Sequence, residues 1–184
     1  ITYIRFVSLT RVGGSCLYFN LPRLLYIGSN SAGFDGGTGL TFFGGGLRYE
    51  NLPDLVWVTG FGGLTTIFGD VYFINVPQIT TLISLRTIIH LRGCLHLRGT
   101  LQIRDFDGLE ALEDIDGDVR IIDNDGIRDL SQLGDLRNIN GSLIISQNDS
   151  LETVRGLRNV VRVADTLMIT QNPMLQTCCA INDL

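Results

Sequence analysis

Apolar residues recur along this chain in a fixed 24-residue frame. With Gly141 as an anchor, Gly117, Gly93, Gly69 and Gly45 precede it at that step and Asp165 follows. Two residues after each anchor stands an aliphatic side chain: Leu47, Val71, Leu95, Val119, Leu143, Leu167. Two further on come Tyr49, Phe73, Leu97, Ile121, Ile145 and Ile169. Ten past the anchor are Leu55, Ile79, Ile103, Ile127, Leu151 and Leu175. From there apolar residues fall at every third position, as in Ile103, Phe106, Leu109, Leu112, Ile115. The next coil repeats this with Ile127, Leu130, Leu133, Leu136, Ile139, and the one after with Leu151, Val154, Leu157, Val160, Val163.

The alternating piece, such as Gly141-Ser142-Leu143-Ile144-Ile145, has period two and predicts a short strand with Leu143 and Ile145 inward. The spacing-three piece fits neither a 3.6-residue helix nor a flat strand; it suits a chain turning corners around a central core. No coil can bury its own apolar face, so neighbours must cover it. Successive coils then stack strand on strand about 4.8 Å apart as parallel sheets. The expected fold is an all-β parallel β-helix of about six to seven 24-residue coils. Seven past the anchor, Asn124, Asn148 and Asn172 are expected to stack at a turn and satisfy its backbone, where earlier coils carry Leu52 and Val76.

The first residues are less regular. Phe6, Leu9 and Val12 have the spacing of a coil's tail, and Leu17 and Phe19 are expected in the next strand. Asn20-Leu21-Pro22-Arg23-Leu24 then echoes Asn51-Leu52-Pro53-Asp54-Leu55. Residues 1–184 read as one domain: irregular first coils over 1–44, a Gly-rich insertion over 28–46, and regular coils over 45–180. Solenoid insertions loop out on one face and often carry binding.

The run Gly141-Ser142-Leu143-Ile144-Ile145-Ser146-Gln147-Asn148, followed by Leu151, Val154, Gly156-Leu157, Val160 and Val163, resembles the receptor L-domain repeat. So does Asp165-Thr166-Leu167-Met168-Ile169-Thr170-Gln171-Asn172-Pro173. The family includes the ligand-binding L domains of insulin-type and epidermal-growth-factor-type receptors and related repeats of fungal cell-wall and microbial surface proteins. The resemblance implies a right-handed β-helix that is extracellular, non-enzymatic and binds through a sheet face. The close, ending in Cys178-Cys179, is similar to the Cys-bearing end of such domains. The Cys-rich modules and kinase of the animal receptors are absent from this sequence, so a receptor role and individual ligand contacts do not carry over. Ordinary leucine-rich repeats are the rival: Leu167-Met168-Ile169-Thr170-Gln171-Asn172 matches their LxLxxN core, but the next Leu, Leu175, falls three after the Asn where they place it two after.

Composition narrows the function classes. The chain has 184 residues, 45 % of them apolar and 18 % charged, which is not a disordered composition. No apolar run approaches the roughly 20 residues a helical membrane span needs. The net charge is −5 and every basic residue is Arg, so no basic stripe for nucleic acid is present. The sequence begins at Ile1 without a basic leader region and reads as a processed or partial chain. Cys16, Cys94, Cys178 and Cys179 form no CxxC and have no His at metal spacing, so no metal is expected. Cys16 and Cys94 sit three coils apart, roughly 14 Å, too far to bridge. Cys178 and Cys179 are candidates for an intermolecular disulfide in an oxidising compartment. Sequons at Asn140 and Asn148 mark candidate glycosylation sites.

Outward strand positions form a surface. Three past each anchor come Arg48, Tyr72, His96, Arg120, Ile144 and Met168, and five past come Glu50, Ile74, Arg98, Ile122, Ser146 and Thr170. Arg, Tyr, His and aliphatics together are a composition favoured at interfaces, which makes Arg48, Tyr72, His96, Arg98 and Arg120 the candidate binding face. Seven acids, Asp105, Asp107, Asp114, Asp116, Asp118, Asp123 and Asp125, crowd two coils. They read chiefly as turn formers, since Asp114-Ile115-Asp116-Gly117-Asp118 lacks the Glu that closes an EF-hand loop. A Cys94–His96 pair on one face is conceivable as chemistry, but no third orienting group recurs near it. The Gly-rich stretch lacks the GK[ST] of a phosphate-binding loop. The expectation is an extracellular or cell-surface module without catalysis or cofactor, recognising a protein or glycan partner. The alternative is a subunit self-associating through its solenoid ends into a filament or wall layer.

Overall fold

The computed structural model describes residues 1–5, 9–28 and 40–176. Over them the chain is a parallel β-solenoid of about six turns, and its longest sheet has seven strands. Those strands are Cys16–Phe19, Leu47–Glu50, Val71–Ile74, Leu95–Arg98, Val119–Ile122, Leu143–Ser146 and Leu167–Thr170. A five-stranded second side carries Thr66–Ile67, His90–Leu91, Asp114–Ile115, Asn138–Ile139 and Arg162–Val163. Pairing steps by 24 residues, Val71 to Leu95 to Val119 to Leu143 to Leu167. The step from Cys16 to Leu47 is 31, which places the seven extra residues of the insertion there. Residues 29–39 of that Gly-rich segment lie outside the described residues, as does Phe6.

The third side explains the spacing-three pattern. Two i→i+3 hydrogen bonds follow one another, Leu133 N–H to Leu130 O at 3.0 Å and Leu136 N–H to Leu133 O at 3.1 Å. Short 3₁₀ segments sit at Ile83–Leu85, Ser131–Leu133 and Arg155–Leu157. A 3₁₀ turn has three residues per turn, so every third side chain eclipses the last and all of them face the core. Ile127, Leu130, Leu133, Leu136 and Ile139 are accordingly fully buried, as are Ile103, Phe106 and Ile115. Burying each of these apolar side chains contributes about 1.5–3 kcal/mol, and no single coil could cover them.

Three features of the first coils differ from the sequence reading or were not in it. Leu17 and Phe19 do lie in a strand, but they point outward, 57 % and 50 % exposed, while Cys16 and Tyr18 pack against the core. The reason is the aromatic stack inside: Tyr18 lies parallel on Tyr49 at 5.5 Å between centroids, and Tyr49 meets Phe73 at 4.9 Å. An unforeseen three-stranded sheet, Tyr3–Arg5, Tyr26–Gly28 and Trp57–Val58, closes the third side of these coils. The coils at 45–176 otherwise follow the frame read from the sequence.

Two corners hold the coils in register. At one, a methyl group on Gly93 would lie 2.5 Å from the carbonyl carbon of Gly69, so backbones touch where the anchor glycines stack. At the other, the residue six past each anchor has positive φ: Asn51 at 53°, Asn75 at 53°, Gly99 at 64°, Asp123 at 59°, Gln147 at 57°. Asn, Asp and Gly reach that region at low cost. Beside it, Asn124, Asn148 and Asn172 stack inward as expected. The Asn148 side-chain amide donates to Ile121 O and Ser146 O, both at 3.0 Å, and its Oδ1 accepts the Asn124 N–H at 3.1 Å.

Replacing Asn148 by Ala strands those backbone groups in the core. We expect Asn148→Ala to lower unfolding free energy by about 3 kcal/mol, and Asn140→Ala, at the surface, by no more than about 0.5 kcal/mol. Urea denaturation of the two variants checks this; equal midpoints would contradict the ladder's role.

Candidate functional site

The outward residues of the long sheet come into register across seven strands. Leu17, Arg48, Tyr72, His96, Arg120, Ile144 and Met168 form one row. Arg98 stands in the neighbouring row, between Ile74 and Ile122. The five residues expected to form a binding face therefore share one surface.

Their contacts fix the centre of that surface. The Arg48 guanidinium sits 5.1 Å from the centre of the Tyr72 ring and pairs with Glu50 at 2.7 Å. Tyr72 meets His96 edge-on, with centroids 5.8 Å apart. The Tyr72 hydroxyl donates to Asp70 Oδ2 at 2.9 Å, and Arg120 donates to Asp118 Oδ2 at 2.9 Å. Arg98 faces Asp123 at 3.9 Å. Cation–π and edge contacts of this kind each contribute about 0.5–1.5 kcal/mol, enough to hold a flat, rigid patch.

Protonation follows from these surroundings. Burial lowers the His96 pKa, and the Arg120, Arg98 and Arg48 guanidiniums lower it further; its Nε2 is covered and has no partner. Burial and the hydrogen bond to Asp70 push the Tyr72 phenol up to about 12. The Ser142 backbone N–H and the Arg120 side chain hold Asp118 below the ordinary carboxylate value. At neutral pH the patch thus presents neutral imidazole and phenol between paired guanidiniums.

Sequence reasoning missed the corner beside this face. One residue after each anchor, the side chain accepts the equivalent N–H of the next coil. Asp70 Oδ1 takes Cys94 N–H at 2.8 Å, Cys94 Sγ takes Asp118 N–H at 3.3 Å, and Asp118 Oδ1 takes Ser142 N–H at 2.8 Å. The signal was present: Asp70, Cys94, Asp118, Ser142 and Thr166 all carry acceptors at one repeat position. The Cys94–His96 pair is not formed, because Cys94 is engaged in this ladder. Burial pushes its thiol pKa up and the Asp70 and Asp118 carboxylates add to that, opposite to what a thiolate nucleophile requires.

The seven acids do not converge. Asp114 and Asp116 lie on the second side, Asp118 at the glycine corner, and Asp123 at the positive-φ corner. Asp105 and Asp107 line a polar depression of about 500 Å³ on the third side with Thr80, Gln102, Arg104 and Gln132. Among the described residues no three His, Cys, Asp or Glu side chains are placed to hold a metal ion. Asn140 is exposed, whereas Asn148 is fully buried with its amide nitrogen bonded inside the coil; a glycan there is incompatible with the folded ladder. Cys16 and Cys94 are free thiols, and Cys178 and Cys179 lie outside the described residues.

Comparison with protein-family models, curated proteins and solved structures finds no match to this chain. No helix among the described residues is long and apolar enough to cross a membrane.

His96 sets a pH dependence. Below its ordinary value of 6.5 the unfolded chain takes up a proton that the folded chain resists, so stability present above pH 6.5 is lost as pH falls below it. His96→Gln is expected to flatten that decline. Unfolding midpoints of wild type and variant across the acid side of pH 6.5 check this; parallel curves would contradict it.

Proposed function

We propose that this solenoid is a non-catalytic recognition module, exposed at the cell surface or secreted, that binds a protein or glycan partner through the outward face of its long sheet. The observation that carries the reading is the in-register row Arg48, Tyr72, His96, Arg120, in which ring and guanidinium contacts fix the side chains before any partner arrives. Preorganised aromatic and Arg anchors lose little entropy on binding, which is why they dominate interface energies. Ile144 and Met168 continue the row as an apolar margin. The resemblance of the repeat to receptor L domains supports the same use of a sheet face and an extracellular setting.

A second reading, assembly through the solenoid ends, draws on the terminal described coils. Leu17 and Phe19 at one end and Leu167 and Met168 at the other are exposed apolar side chains on strands with one unpaired edge among the described residues. Such edges favour pairing with another chain.

One experiment separates the two. Purified protein is sized and imaged with and without reductant, then immobilised beside a Tyr72→Ala/Arg120→Ala variant on glycan and surface-protein arrays. Recognition predicts short monodisperse rods and a retained species that the double variant holds at least about tenfold more weakly. Fibres, or the absence of any retained species that the double variant holds more weakly, would overturn it.

A further inference from the structure

The second side of the solenoid carries a pattern that the recognition face does not use. His90 Nδ1 lies 3.1 Å from Asp114 Oδ2, and the Asn138 amide donates to Asp114 Oδ1 at 2.7 Å. Two residues along, Arg92 donates to Asp116 Oδ2 at 3.2 Å and the Asn140 amide donates to Asp116 Oδ1 at 3.2 Å. Each row thus runs base, carboxylate, amide over three successive coils, with the central carboxylate pinned from both sides. All six are planar polar groups at the coil spacing, about 4.8 Å.

The rows leave hydrogen-bonding capacity facing outward. Asn138 and Asn140 use their N–H groups on the aspartates, so their carbonyl oxygens have no protein partner among the described residues. Each aspartate oxygen accepts one or two of these bonds and keeps a lone pair directed elsewhere. Arg92 is balanced by Asp116, so the surface offers donors and acceptors more than net charge.

Next to the rows, toward the first coils, is an aromatic platform. Phe42 and Phe68 lie 5.8 Å apart at 33°, and the Arg11 guanidinium stands 4.4 Å over Phe42. Phe68 is 53 % exposed, although the equivalent position in the next coil is Arg92 and the core does not require an aromatic there. An exposed ring held next to fixed bidentate polar groups offers an apolar plate and a hydroxyl-reading comb in one line.

We propose that this second side binds a neutral, linear polysaccharide laid along the solenoid axis. Its sugar rings stack at Phe42 and Phe68, and its hydroxyl pairs bridge the His90–Asp114–Asn138 and Arg92–Asp116–Asn140 rows. An extended chain of pyranose units advances by about one coil spacing per sugar, so successive rings meet equivalent groups on successive coils. The site is separate from the long-sheet face and does not depend on that face having a partner.

Isothermal titration of the full chain with cellohexaose, xylohexaose and chitohexaose, and with the matching disaccharides, tests this. Saturable binding of at least one hexasaccharide is expected with a Kd of about 1 mM or tighter, the disaccharide binding about tenfold more weakly. Phe68→Ala and Asn138→Ala are expected each to weaken it about fivefold with the folded circular-dichroism spectrum retained, and Arg120→Ala on the other face to leave it unaltered. No saturation by any hexasaccharide, or binding that Phe68→Ala does not change, would overturn the proposal.

Discussion

Parallel stacking brings the backbones of neighbouring coils into contact at one corner, and the rest of the structure is arranged around that approach. The inter-coil bonds that flank it, such as Val71 N–H to Cys94 O at 2.7 Å and Leu95 N–H to Asp118 O at 2.8 Å, are short and repeat in every regular coil. They require that nothing stand between the chains, and the anchor glycines remove the obstacle. Once that distance is set, register is set with it, because a one-residue slip would turn Leu97 and Ile121 outward. The Asp70–Cys94–Asp118–Ser142 ladder and the internal asparagines then satisfy the groups that turning a corner leaves unpaired.

Much of this was legible because the constraint repeats. Gly141 and its equivalents, Leu143 with Ile145, and the spaced Ile127 to Ile139 series carry a period that no local irregularity hides. The first coils were harder. In Cys16-Leu17-Tyr18-Phe19 every residue is apolar, so alternation gives no parity, and only the interior stack on Tyr49 decides which pair turns in. The second side was nearly invisible for a related reason. Its strands are two residues long, too short for period two, and its outward groups change type at every coil, from Thr66 to His90 to Asp114 to Asn138.

The candidate face was legible as a set of positions but not as a set of contacts. Step arithmetic aligned Arg48, Tyr72, His96 and Arg120; it could not say that Tyr72 would be tied to Asp70 or that the thiol of Cys94 would turn to the backbone of Asp118. Asn148 shows the opposite error. A sequon reads as a surface signal, yet the same three residues occupy the corner where an amide has to be inside. Local motif and global frame competed at that position, and the frame decides it.

The inter-coil hydrogen bonds also set how the molecule answers a mechanical load. They run along the solenoid axis, so tension between its two ends pulls on them lengthwise and reaches the outermost interface first. That interface peels bond by bond while those behind it stay closed. Each coil released adds the contour of 24 residues, about 80 Å. Extension therefore comes in steps of one coil, at a force set by a single interface and not by the number of coils. A solenoid built this way would damp a pull by surrendering length one turn at a time.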